Sequence, residues 1–518
     1  MNYGDIEVID FLRNGWPLNY TSAEWPCTTE RRNHKGASNY DTFIDRWLAS
    51  EVKRGRIRGP YVAPPLPNFV VSPLNTVPKN DSDERRVIVD LSWPFGRSVN
   101  DGIEVACYLG EPTDLHYPTV DDISRHIREW GPNCRMCKRD LKTAYRQFRV
   151  APDDHHLLGY CWRNQYYYDT VLCMGQRTAA YGCQRSTRSI AFIHSHGGRR
   201  CEVYMDDFIG VSKPITATSD FVALGVLLGD VGLEENLPKA CPPETVQVVL
   251  GVLFNTANMT ISVTPERLHD THEILRVWER KRSATRRELQ TLIGKLLFVS
   301  KCVRASRIFV NRLLALLRSL PQWSSKLALT SEFKKDLQWW IQFLDVYNGV
   351  SMIPPVSWSP TDFVLSTDAC LTGGGAVEHN IGQFVHFQFP DDILALDLPI
   401  HMLELLTVVA AVKQWAHSLR GQRLQLFCDN SAAVLAINSG RTKCPFVSSC
   451  LRELWFVCST NDIEMRAVHI AGVDNRQADW LSRWHLDVKF RELFMNSIND
   501  SYLELSFDFN LLYFQHTF

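Results

Sequence analysis

Carboxylates gather at two places in this chain where their spacing could support chemistry. Asp206 and Asp207 lie between two short apolar runs within residues 201–211, which puts them at the solvent-accessible tip of a tight hairpin, and Asp140 closes a β-like run at 136–139. Carboxylates brought within a few ångströms of one another cannot all ionise without a counter-charge, and a divalent cation is the ordinary solution. Hard Mg²⁺ prefers oxygen ligands. Two such ions ~3.5–4 Å apart activate the attacking oxygen and stabilise the leaving one in a phosphoryl transfer. Taken alone, an Asp pair in a hairpin is equally well a plain turn. The second set is Asp368 in a Ser-Thr-Asp-Ala run, Glu404 inside Met402-Leu403-Glu404-Leu405-Leu406, Asp429 directly after an apolar run, and Asp479 in Ala478-Asp479-Trp480-Leu481. Any one acid at an element end is ordinarily a cap. Glu404 stands apart, because a carboxylate in so apolar a setting is costly unless metal-bound or protonated.

The elements that must position these groups change character along the chain. Residues 1–60 mix Trp, Asn, Pro and charge with weak periodicity and read, with the Pro-rich stretch after them, as an extended lead-in. Residues 85–91 are a β-branched strand, Thr143 onward turns helical, and 160–172 is an aromatic and β-branched hairpin, so this portion is α+β. From 265 to 320 the period becomes helical. Between Arg276 and Arg318 twelve Lys or Arg stand against two acids, which suits a phosphate-backbone surface better than a mixed solvated face. After Trp358 a third regime begins, with a strand at 363–368, a Gly373-Gly374-Gly375 turn, a helix opened by Pro399, a strand at 423–428 and a helix from Ser431, an α/β pattern. The tail 486–518 is aromatic and acidic without a recognisable motif. Cys134 and Cys137 have no partner pair at zinc-ligand spacing and read as two buried thiols.

Composition bounds the class. At 518 residues, 45% hydrophobic and 22% charged, the chain is long enough for about three or four domains and is neither disordered nor collagen-like. A net charge of -1 means that any nucleic-acid surface is local. Fifteen cysteines, an odd number without a framework, indicate a reducing, intracellular setting that leaves cytoplasm and nucleus undistinguished. The acidic residues near Met1 do not form a leader, and apolar runs such as 221–228 fall far short of the ~20 residues that span a bilayer.

Five motifs in order, D-L-K-T-A-Y-R-Q from Asp140, L-C-M-G-Q from Leu172, Y-M-D-D from Tyr204, G-L-x-x-N-x-x-K from Gly232 and L-G-V-L-F from Leu250, resemble the palm motifs of reverse transcriptases. That resemblance implies Asp140 and Asp206 as principal metal ligands and Asp207 as the third acid. It implies Tyr145 as a steric gate against a 2′-hydroxyl, Gly175 beside the nascent base pair, Lys239 as proton donor to pyrophosphate, and 250–254 as a primer grip. Lys79 and Arg86 match fingers residues that clamp the triphosphate, for which bidentate Arg suits phosphate geometry. Cys173 and Met174 depart from the residues many relatives carry in that motif. The later acids, with His469 and Asn475 in H-x-x-x-x-x-N-x-x-x-D, resemble the D-E-D-D site of the RNase H fold. This implies two-metal hydrolysis of the RNA strand of a hybrid, with His469 assisting proton transfer or product release. The runs 85–103, 289–301 and 469–483 most resemble DIRS-type retrotransposons, whose relatives encode a tyrosine recombinase for integration.

The expected architecture is an α+β polymerase palm and fingers with a helical thumb or connector, followed by an α/β RNase H-like domain. The segments are a lead-in at 1–60, fingers and palm at 61–262, thumb/connector at 263–350, RNase H at 358–485 and a tail at 486–518. The expected function is RNA-directed DNA synthesis coupled to RNase H cleavage, with two Mg²⁺ at each site and Mn²⁺ as the alternative ion. Expected partners are an RNA template, a DNA primer, the RNA/DNA hybrid, dNTPs and a recombinase from the same element, with no membrane. Two rivals stand beside it: a catalytically inactive nucleic-acid-binding relic, and a nuclease whose polymerase half is only a scaffold.

Overall fold

The computed structural model describes residues 4–28, 32–79, 84–113, 115–303, 306, 309–319, 326–346, 350–352, 363–440, 442, 444–461, 463–499 and 501–514. Two compact units divide the chain, Met1–Gln247 and Val248–Phe518.

The expected extended lead-in of the first unit is instead partly helical. Helix α1 (Glu7–Asn14) buries Val8, and α2 (Asp41–Lys53) buries Ile44, Leu48 and Glu51. Only three positions of α2 face inward, at i, i+4 and i+7, and the polar residues between them dilute the periodicity. Strand β1 (Ile57–Tyr61) is followed by the hairpin β2 (Leu74–Pro78) and β3 (Arg85–Val89). Helix α3 (Val120–Trp130) starts at a Thr119/Asp122 capping box. It leads into β4 (Arg135–Asp140), which carries Asp140 at its end. The helix expected from Thr143 is only a four-residue 3₁₀ turn, Ala144–Gln147, because Thr143 takes a left-handed φ of 51° and Phe148 is already extended. Strands β5 (Gly159–Trp162) and β6 (Gln165–Asp169) form a three-stranded sheet with β1. Helix α4 (Ala179–Ser195) precedes the hairpin β7 (Arg200–Tyr204) and β8 (Asp207–Ser212), which α5 (Ala217–Asp230) and β9 (Cys241–Glu244) follow. The central sheet runs β9-β4-β8-β7, all antiparallel.

The second unit opens with short paired strands around Val252–Asn255 and Thr260–Val263. Helices α6 (Pro265–Glu279), α7 (Arg286–Val299), α8 (Asn311–Arg318) and α9 (Ser331–Val346) follow. Their core is aromatic: Phe309 stacks on Trp339 at 3.6 Å and Trp339 on Phe343 at 4.7 Å. The basic stretch is partly neutralised by acids outside it. Arg276 pairs with Glu273, Lys295 with Asp270, and Arg312 with Glu332 and Asp336, while Lys281 pairs with Glu288 inside it. Arg280, Arg282, Arg287, Lys301 and Arg318 remain exposed. Arg304, Arg307 and the change of regime after Trp358 lie outside the described residues.

A six-stranded sheet ends the unit, formed by β10 (Phe363–Ala369), β11 (Gly373–Glu378), β12 (Gln383–Gln388), β13 (Arg423–Cys428), β14 (Glu464–His469) and β15 (Leu503–Glu504), in the order β14-β13-β10-β11-β12-β15. Helices α10 (Ile400–Trp415), α11 (Ser431–Ser439), α12 (Pro445–Thr460), α13 (Arg476–Ser482) and α14 (Val488–Ser497) complete it. The three glycines expected as a turn are the start of β11. A Cβ on Gly375 would lie 2.4 Å from the Leu481 side chain, and one on Gly374 2.6 Å from Thr407, so these residues are small because helices close over the strand. The tail is equally structural: Phe494 is fully buried beside Phe384, Phe507 stacks on Phe387 at 3.9 Å, and β15 adds a parallel edge strand. Its aromatic spacing shows no period because the rings divide between two clusters, Phe494 and Tyr502 in one and Phe507 and Phe514 in the other, while Phe509 and Tyr513 stay exposed. No helix among the described residues is long and apolar enough to cross a membrane.

Candidate active sites

The first acidic set converges in the central sheet of the first unit. Asp140 at the end of β4 is the direct register partner of Asp207, the first residue of β8. Asp206 lies in the two-residue turn joining β7 to β8, where Met205 has a φ of 57°. The turn is half-buried, not an exposed tip, because α4 covers it. Gln184, 1% exposed, accepts from the Met205 amide at 2.7 Å and donates to the Val203 carbonyl at 2.9 Å. The Leu141 amide donates to the Asp206 carbonyl at 3.1 Å, which ties the turn to β4. Burial and the Asp140 charge raise Asp206, and Lys239 and Arg86 oppose the shift. Asp207 is pushed up to about 6 by burial and then by Asp206 and Asp140. Three carboxylates brought together, two of them held back from ionising, are a cation-binding arrangement.

The remaining first-unit candidates surround this cluster to different degrees. Lys239 Nζ is 3.3 Å from Asp140 Oδ2, which also accepts from Asn236 Nδ2 at 2.9 Å. Tyr145 is half-buried, and its hydroxyl faces Met205 Sδ at 4.0 Å. Arg86 is exposed on β3, whereas its neighbour Arg85 turns to the other face, where it donates to Thr76 and lies over the Tyr40 ring at 3.7 Å. Lys79, the other expected triphosphate clamp, is instead paired with Glu84 at 2.5 Å. Gly175 has a φ of 108°, and a Cβ there would lie 1.9 Å from the Val89 carbonyl oxygen of β3. The backbone contact requires glycine in both size and conformation. Gly175→Ala is expected to lower the melting temperature by about 5 °C or more, and an unchanged melting curve would refute the contact. Cys134 and Cys137 are both buried.

The second set converges in the sheet of the second unit. Asp368 is on β10, Glu404 in the second turn of α10, Asp429 just past β13, and Asp479 on α13. Burial drives Glu404 up to about 9, with further push from Asp368 and Asp429. Asp368 reaches about 7, raised by burial and by Asp429 and Asp479 against a 2.5 Å bond from Ser482 Oγ. Asp429 is raised by burial and then by Asp479. His469 ends β14 opposite Cys428, and its Nε2 donates to the Asp429 carbonyl at 3.1 Å. Asn475 fastens the head of α13 to β10 by donating to the Thr367 carbonyl at 2.9 Å. Asp479 is paired with Arg483 at 2.8 Å.

Sequence reasoning missed four contributors. Gln184 left no signal, since a buried amide on a helix is invisible until its partner strand is known. Asn236 lay within the quoted G-L-x-x-N-x-x-K run and Ser482 three residues after Asp479, so both were within reach. Cys428, whose Sγ lies 3.8 Å from Glu404 Oε2, joins Glu404 and Asp429 in a group whose ligand atoms all fall within 4.8 Å.

No protein-family model matches the chain, and no curated protein matches it. Solved structures do. The foamy viral protease-reverse transcriptase dRH in complex with double-stranded DNA is 15% identical, with a TM-score of 0.51 over 88% of this chain and 74% of that one. The foamy viral protease-reverse transcriptase in complex with double-stranded DNA gives the same identity and TM-score over 83% of this chain and 82% of that one. The chain therefore has a mixed α/β fold of the viral reverse-transcriptase kind.

Proposed function

We propose that the protein is an RNA-directed DNA polymerase with an attached RNase H, from a retrotransposon of the DIRS type. The observation that carries this reading is the convergence, in two separate folds of one chain, of three carboxylates at Asp140, Asp206 and Asp207 and four at Asp368, Glu404, Asp429 and Asp479. In this reading α6 to α9 serve as the thumb and connector, and the exposed arginines and Lys301 meet the phosphate backbone.

Both acid sets fit hard divalent ions. Their donors are carboxylate oxygens, and burial and neighbouring acids suppress the ionisation of Asp206, Asp207, Asp368, Glu404 and Asp429, a suppression that a cation would relieve. Asp140, Asp206 and Asp207 would hold Mg²⁺ at the first site, and Asp368, Glu404, Asp429 and Asp479 at the second. Bound there, the ions supply Lewis acidity toward phosphoryl oxygens. The chain's own groups do the rest. Arg86 and Lys239 offer positive charge to a triphosphate approaching Asp206, and Lys239 Nζ, beside Asp140, carries a proton for pyrophosphate. Tyr145 presents its ring below the sugar. Its hydroxyl, pushed up to about 12 mainly by burial, stays neutral there. His469 stands at the rim of the second set, held through Asp429, with a ring nitrogen to move protons at the scissile phosphate.

The direct test follows extension of oligo(dT) on poly(rA) with dTTP and Mg²⁺, together with cleavage of a labelled RNA/DNA hybrid. Both activities are expected. A folded, hybrid-binding protein that does neither refutes the reading, and cleavage without extension supports the scaffold rival. Tyr145→Ala is expected to lower the preference for dNTP over rNTP by about tenfold or more, an interaction worth at least ~1.4 kcal/mol. Unchanged ribonucleotide incorporation sinks the gate assignment.

A further inference from the structure

Tyr145 sits on a turn of four residues, and its neighbours hold that turn. Arg146 points away from the acid cluster into the interior, where its side chain is 10% exposed. There its Nε donates to Glu51 of α2, and Nη2 donates to Asp169 at the end of β6 at 2.6 Å. Glu51 is 8% and Asp169 0% exposed, and the guanidinium lies 5.1 Å from the centre of the Trp47 ring. Arg56 donates to Thr143 Oγ1 at 3.3 Å, just before the turn. Gln147 closes the other end, donating to the Glu234 carbonyl at 2.9 Å and accepting from the Glu234 amide at 2.7 Å. Tyr145, by contrast, has a thioether for its hydroxyl, a weak acceptor at 4.0 Å. Its ring packs against the hydrophobic core without a strong hydrogen bond, so its height depends on its backbone, and the strongest polar anchor on that backbone is the residue beside it.

We propose that Arg146 is a positioning residue for sugar selection: by bridging Glu51 and Asp169 it fixes the height of the Tyr145 ring beside Asp206. This rests on the polymerase reading above. The planar guanidinium fork suits the task because it reaches two carboxylates from one rigid group, whereas an ammonium cannot hold both in a fixed geometry. A shift of ~1 Å in a group that contacts substrate can cost ~10²-fold, so slack in this bridge has a measurable reach.

The test measures kcat/KM for single incorporation of dCTP and CTP opposite template G. Arg146→Lys keeps the charge and loses the fork. The triple variant E51L/R146L/D169L removes all three buried charges and leaves no buried polar group of the bridge unpaired, which gives a second route should the lysine variant fail to fold, and thermal melts report folding in each case. Both are expected to lower the dCTP/CTP ratio about tenfold. In a Tyr145→Ala background Arg146→Lys is expected to change the ratio no further, because its effect passes through that ring. Either folded variant with the wild-type ratio overturns the proposal. So does a lysine effect of equal size with and without Tyr145, which marks a purely structural role. Failure of the wild-type protein to incorporate dCTP at all is a different outcome: it removes the polymerase reading, and this inference falls with it.

Discussion

Asp206→Asn is expected to cut RNA-templated primer extension by about a thousandfold or more, the ~4 kcal/mol that loss of one charged ligand takes from metal-stabilised transfer. Asn preserves the shape of the side chain and removes its charge. Structural damage is not the cause expected, since the Asp206 charge is one of those that push Asp207 up to about 6. Deleting it relieves repulsion in the metal-free protein, so the variant should melt at or above the wild-type temperature. Hybrid cleavage should persist in this variant, because its acids lie in another unit of the chain. Asp429→Asn should show the mirror image, with extension retained and cleavage lost. The measurement is the pair of activities on each purified variant. Loss of both in either variant, with an unchanged melting curve, would falsify the assignment of two independent sites.

The two acid clusters were legible in the sequence because most of their members, Asp140, Asp206, Asp207, Asp368 and Asp429, sit in or beside strands that carry short, recognisable runs. Asp140 facing Asp207 follows from β4 and β8 being antiparallel neighbours with the hairpin between β7 and β8. What was illegible divides by cause. Gly373 to Gly375 read as a turn because three glycines have no local reason to be a strand; the reason is tertiary, the closeness of Leu481 and Thr407. The N-terminal helices were hidden because α2 turns only Ile44, Leu48 and Glu51 inward, too few to set a period. The basic stretch read as a phosphate surface in preference to a mixed face because the acids that partly neutralise it, Asp270, Glu273, Glu332 and Asp336, lie outside residues 276–318. Arg146 carried no reading of its own inside the D-L-K-T-A-Y-R-Q run, because its partners Glu51 and Asp169 are distant in sequence and only the fold brings them to it.

The largest stability effect is expected at Arg452, where helix α12 meets α9 within the second unit. Arg452 is 2% exposed, its Nη1 lies 2.5 Å from Asp336, and its guanidinium is 5.4 Å from the centre of the Phe309 ring. Arg312 shares Asp336 at 3.3 Å. Burial nonetheless pushes Asp336 up to about 6 and lowers Arg452, so desolvation outweighs the attraction on both sides of the pair. Arg452→Met should therefore destabilise the protein by about 3–5 kcal/mol near pH 8, because a buried carboxylate loses its main counter-charge. The cost should shrink as pH falls. With Arg452 gone the Asp336 carboxyl rises further above its ordinary value, and the native variant takes up a proton that the unfolded chain does not hold until about pH 4. At pH 5 the carboxyl is neutral in the native variant, and most of the deficit should vanish. A double variant, D336L/R452L, should match or exceed the wild type at pH 8, since it removes the desolvation cost together with the attraction. Urea titration followed by tryptophan fluorescence suits the site, because Trp339 and Trp340 are fully buried on α9 beside it. A loss for Arg452→Met that is equal at pH 5 and pH 8 would mean that the arginine acts through packing on Phe309 and not through Asp336.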